Sequence, residues 1–176
     1  MHSTKSKSKK KSHRPHAFRK PAGYSALDEL IASPTEPMPL ATQNHYFEVI
    51  LSALEGISGE LTPRQWNALS EMVNIMQTMC MRGLCEDANG LVDDAVQALA
   101  NAGRYHLAGD AIRLSATEQS SVCAIAADFM EVSQVIPHRE MVRCHRATQI
   151  RIEAYRNNRE VEIIDLAKKK ATHAPR

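Results

Sequence analysis

The sequence predicts an all-α bundle of about five amphipathic helices, with one short β-hairpin near 104–114 and a disordered basic N-terminal head. Three observations lead there. Apolar residues recur at spacings of three and four through most of residues 43–155. Two capping boxes, Thr62 with Gln65 and Ser115 with Glu118, mark helix starts. Ala, Leu, Met and Gln are frequent, whereas long β-branched runs are scarce.

The elements follow in order. Residues 1–23 are mostly Lys, Ser, His and Pro, with too little apolar surface to offset the entropy of ordering. The stretch "GYSALDELIAS" is a short apolar island, with Tyr24, Leu27, Leu30 and Ile31 at helical spacing and Ser25 as N-cap. "SPTEPMPL" holds Pro34, Pro37 and Pro39, and no helix passes through it. We therefore expect a head and proline-rich linker over 1–41, a helical bundle over 42–158 and a basic C-terminal tail over 159–176.

A first body helix is expected over about 43–56, with Phe47, Ile50, Leu51 and Leu54 as its stripe. Thr62 then caps a helix with Pro63 at its first position, running to about Met81. Trp66, Leu69, Val73, Met76 and Cys80 form one face, and Met72, Ile75 and Met79 a second, so this helix is expected to be central. A third helix is expected from about Cys85 to Ala102, closed by Gly103 as a left-handed cap. Alternation of Tyr105 and Leu107, then Ile112 and Leu114, around "AGD" predicts the hairpin. Ser115 caps a fourth helix carrying Val122, Ile125, Phe129, Val132 and Ile136. Pro137 ends it and opens a fifth, lined by Met141, His145, Thr148, Ile152 and Tyr155.

Charge is divided unevenly along the 176 residues. The formal net charge is +2, yet the first twenty-one residues hold Lys5, Lys7, Lys9, Lys10, Lys11, Arg14, Arg19 and Lys20 with no acid. The remainder has fourteen basic and twenty acidic residues, a net of −6. A second basic cluster, Lys168, Lys169 and Lys170, lies in the tail. Lys/Arg-rich arms bind phosphate backbones by releasing condensed counterions. The head has one aromatic, Phe18, and nothing to read base edges, so binding there would be without sequence choice. The alternative is a solubilising tail.

Other chemistry is poorly supported. Cys80, Cys85, Cys123 and Cys144 sit in apolar helical patterns without the short Cys-x-x-Cys knuckles of structural zinc sites. They read as reduced, packed thiols. Cys144 and the adjacent His145 diverge by about 100° on a helix and cannot form a catalytic pair. Glu86–Asp87 and Asp93–Asp94 suit the start of a helix. Seven scattered glycines make no phosphate loop. No cofactor is expected, and the chain reads as a non-enzyme. The absence of an apolar run after the head argues against a signal peptide, and no stretch of eighteen apolar residues could span a membrane. A cytoplasmic location is expected. If Met72, Ile75 and Met79 were left uncovered, they would form a partner or oligomer face.

The order of "KKKSHRPHAFRKP", "GYSALDELIAS" and "ELTPRQWNALSEMVNIM" resembles short helical proteins of bacteriophages and prophages. The resemblance spans most of the chain at the level of pattern. It implies a mobile-element accessory protein of the bacterial cytoplasm that binds another macromolecule, such as a host or phage protein or a defence component. Nucleic acid bound through the basic termini is the alternative partner.

Overall fold

A computed structural model describes residues 23–157, which form six α-helices; among them no strand forms. The helices are α1 (Ala26–Ile31), α2 (Leu40–Leu54), α3 (Pro63–Met81), α4 (Leu91–Leu107), α5 (Ala116–Ser133) and α6 (His138–Arg156). A single 3-10 turn, Ala88–Gly90, precedes α4. The basic residues Lys5 to Lys20, and Lys168 to Lys170, lie outside the described residues.

Helix α3 is the hub, contacting α2, α4, α5 and α6. A helix surrounded on all sides must be apolar around most of its circumference. Accordingly Leu69, Met72, Val73, Ile75, Met76 and Met79 are all buried. The second apolar face, Met72, Ile75 and Met79, is thus covered by the chain's own helices. It is core and offers no partner face. The caps are local. Thr62 accepts from the Gln65 backbone N–H while the Gln65 side chain accepts from the Thr62 N–H, and Ser115 with Glu118, and Ser25 with Asp28, repeat the arrangement.

Two sequence expectations fail around α4. The helix begins at Leu91, six residues later than expected, because Asn89 and Gly90 adopt left-handed backbone (φ 65° and 74°). The Asp87 carboxylate then accepts from the Val92 N–H and satisfies a first-turn donor. At its other end α4 runs through Gly103 to Leu107, so there is no hairpin. Tyr105 and Leu107 are helical and exposed. Gly103 is present for packing: a Cβ there would come within 2.5 Å of the Trp66 ring. The left-handed residue that follows the helix is Gly109 (φ 103°). The alternation of Ile112 and Leu114 is genuine, since both are buried in the connection between α4 and α5. Their strand-like neighbour is Leu61, whose N–H donates to the Ile112 carbonyl (2.9 Å).

The segment expected to be a linker is docked. Ala32 and Met38 are buried, and Pro37 forms an isolated antiparallel bridge with Pro137. The carbonyls of Glu36 and Ser33 accept from the N–H groups of His138 (2.7 Å) and Arg139 (2.9 Å). Pro137, at the N-cap of α6, offers no side-chain cap. Residues 33–36 supply the missing acceptors, so the packed body extends N-terminally of Thr42.

Candidate functional site

Two hollows in the surface are candidates for a ligand site. The first, lined by Met38, Gln43, Tyr46, Phe129, Met141 and His145 among others, has a volume of about 10 Å³, room for one water at most. The second, about 240 Å³, is an open cleft beside Leu61, Pro63 and Ile112. Neither has the size and enclosure of a usual small-molecule site.

Between Gly23 and Asn157 there are seventeen Asp/Glu, nine Arg and no Lys. Five of the nine arginines lie on α6: Arg139, Arg143, Arg146, Arg151 and Arg156, against only Glu140 and Glu153. The body is thus acidic with one basic helix. Arg139, Arg143 and Arg146 are spaced i, i+4, i+7 and share a face. All three meet α1. Arg139 donates to the carbonyls of Ala32 (3.2 Å) and Leu30 (3.4 Å), at the C-terminal end of α1. Arg143 donates through Nε to Glu29 Oε1 (2.8 Å), and Arg146 pairs with the other oxygen of the same carboxylate. The hydrogen bond from Arg143 holds the Glu29 carboxyl below its ordinary range, and Arg146 adds to the effect. Arg143 also pairs with Glu140, which binds Arg82 in turn (2.6 Å).

The opposite side of α6 is fastened to α3. Thr148 and Thr78 share a buried hydroxyl–hydroxyl hydrogen bond (2.7 Å), and Arg151 donates to Thr78 Oγ1 (3.0 Å) and Gln77 Oε1 (2.6 Å). Arg151 is therefore structural, whereas Arg139, Arg143 and Arg146 are turned toward α1.

His145 sits between these two sides, 4% exposed, with Tyr24 and Tyr46 edge-on at ring-centroid distances of 5.0 and 5.4 Å. Its Nε2 is buried with no partner among the described residues, and Nδ1 is 3.9 Å from the half-exposed Glu71 carboxylate, beyond hydrogen-bond reach. Burial lowers its pKa to about 4. A buried neutral imidazole gives stability that is complete above the unfolded value near 6.5 and is lost as pH falls toward 4. The size of that loss is about 3 kcal/mol. Glu71, whose pKa burial raises, acts in the opposite direction. Urea titrations at pH 7 and pH 4.5 are expected to show the loss in the native chain and a clearly smaller one in His145→Phe. Equal losses in both would assign acid sensitivity elsewhere.

The cysteines divide by environment. Cys144 is buried, and burial pushes its thiol up to about 12, so it is not an activated nucleophile. Cys80 and Cys85 are brought together by the turn that ends α3, where Gly83 is left-handed (φ 71°) and the Leu84 N–H returns to the Met79 carbonyl. Their sulfurs are 2.9 Å apart, and burial raises both thiols. Among the described residues no three His, Cys, Asp or Glu side chains converge as a metal-binding group, and no helix is long and apolar enough to cross a membrane.

The sequence places its basic segments on either side of this body, and α6 relates them. Gly23, where the described chain begins, lies against the side chain of Gln149. The described chain ends at Asn157, eight residues further along α6, or about 12 Å. The attachment points of head and tail therefore both lie along the C-terminal half of the arginine-bearing helix. Sequence reasoning singled out the termini but missed Arg139, Arg143 and Arg146. Their spacing was readable, but their neighbour α1 was not.

No family model, curated protein or solved structure matches the chain.

Proposed function

We propose that this protein is a non-enzymatic binding protein that grips a nucleic-acid backbone without sequence choice. Its contacts would be Lys5, Lys7, Lys9, Lys10, Lys11, Arg14, Arg19 and Lys20 of the head, with Lys168, Lys169 and Lys170 of the tail. The observation that carries the reading is the attachment of both segments along the C-terminal half of α6, the basic helix of an otherwise acidic body. An acidic body repels a polyanion, which confines contact to that half.

Labelled duplex DNA titrated against the full chain and a chain starting at Gly23 tests it. If about six head charges engage phosphates, the logarithm of affinity falls with a slope near −5 against the logarithm of salt. Between 50 and 200 mM salt the full chain then loses about a thousandfold in affinity. Removing the head should abolish most of both the affinity and the slope. Equal binding by the two chains, or none by either at the lower salt, refutes the reading.

A second reading is the phage-type accessory protein that binds a host or phage protein. One observation favours it: Leu27, Leu30 and Ile31 on α1 are 65%, 74% and 74% exposed, an apolar face directed away from the body. Unchanged function after loss of the head would move the search to that face.

A further inference from the structure

We propose that Arg143 and Arg146 form a phosphate site on α6 that Glu29 occupies in cis, with residues 24–31 as a displaceable acidic cover. The inference deepens the polyanion-binding reading and rests on it for its biological ligand.

The charge and geometry of the arginine pair match a phosphate. Two guanidinium groups, three residues apart on one helix face, converge on the two oxygens of a single carboxylate. Guanidinium forks are suited to carboxylate and phosphate alike, and a phosphate offers more acceptor oxygens and, as a monoester, more charge. Arg139 extends the row, with its donors spent on the neutral carbonyls of Leu30 and Ala32. Glu140 is the opposing charge within the row. It is shared between Arg143 and Arg82, so part of its charge is already balanced from the α3 side.

Helix α1 is held by α6. It has six residues, too few to be stable as an isolated helix. None of its side chains is buried, and its large aliphatic residues face outward. It is fixed by ion pairs, by guanidinium–carbonyl hydrogen bonds and, just before it, by the edge-on contact of Tyr24 with His145. Partly exposed ion pairs contribute little each, and a competing anion replaces them in kind. The anchor of the segment lies further on, at Ala32 and Met38, which are buried. Residues 24–31 can leave α6 with that anchor in place. The basic head is joined covalently to this cover, so a polyanion held by the head lies beside the site that the cover blocks.

The test uses the full chain, Glu29→Gln, and Glu29→Gln combined with Arg143→Gln and Arg146→Gln. The probes are inorganic pyrophosphate and, separately, duplex DNA at low salt. Glu29→Gln is expected to bind pyrophosphate about tenfold more tightly than the native chain, about 1.4 kcal/mol, and the arginine replacements to remove the gain. In the native chain, saturating pyrophosphate should accelerate hydrogen exchange at the Glu29 and Ala32 amides, which bond to the Ser25 and Asp28 carbonyls. That readout needs no variant. Unchanged exchange together with unchanged pyrophosphate affinity in Glu29→Gln overturns the site, whatever DNA does. A gain for pyrophosphate with no DNA binding by any chain keeps the site and refutes the reading of the termini.

Discussion

Replacing Trp66 with alanine is expected to destabilise the protein by about 3–5 kcal/mol, the usual cost of deleting a packed large aromatic. The indole joins two helices. Its N–H donates to the Leu99 carbonyl (2.9 Å), and its six-membered ring lies on Gly103 of α4. The neighbouring glycine makes the prediction sharper. Gly103→Ala alone places a Cβ about 2.5 Å from the ring and should cost about 1–3 kcal/mol by overpacking. In the Trp66→Ala background the same change should be neutral or stabilising, since alanine exceeds glycine in a helix interior by about 1 kcal/mol. Urea denaturation of the four chains checks both. Additive losses would mean that ring and glycine do not touch.

A chain beginning at Thr42 is expected to lose about 3–5 kcal/mol of stability, whereas one beginning at Gly23 melts like the full chain. Met38 and Ala32 are buried, and burial of one large apolar side chain contributes about 1.5–3 kcal/mol. The truncation also removes the acceptors for the His138 and Arg139 N–H groups and the Met38 carbonyl to which buried Gln43 donates (2.9 Å). Donors left without partners in or near the core add about 1–3 kcal/mol. Thermal melts of the three chains decide it. If the chain from Thr42 retains the native midpoint, residues 23–41 are an accessory and the body is what composition alone suggested.

The difference between those two expectations shows where sequence reading ended. Composition separates 1–41 from the rest, because prolines and polar residues outnumber apolar ones there. Composition cannot show that the carbonyls of Ser33 and Glu36 meet the start of a helix one hundred residues later. That pairing depends on Pro137 leaving α6 without a side-chain cap, and on a groove that exists only after the helices assemble.

The features legible in the residues alone are local ones. The capping boxes at Ser25, Thr62 and Ser115 are closed within four residues, and the periodic apolar stripes of α3 and α5 follow from a 3.6-residue repeat. The two apolar faces of α3 already required a central helix. Tertiary structure decided the rest. Gly103 carries the mark of a helix end, yet it is a contact with Trp66, a residue thirty-seven positions away. The residues of "DELIAS" show an amphipathic helix, yet its aliphatic side faces outward and its Glu29 faces inward, because Arg143 and Arg146 wait on α6. Caps and periodicity are interactions between near neighbours, set by backbone geometry. The identity of the surface that a finished helix meets is set by elements distant in the chain, and only their packing reveals it.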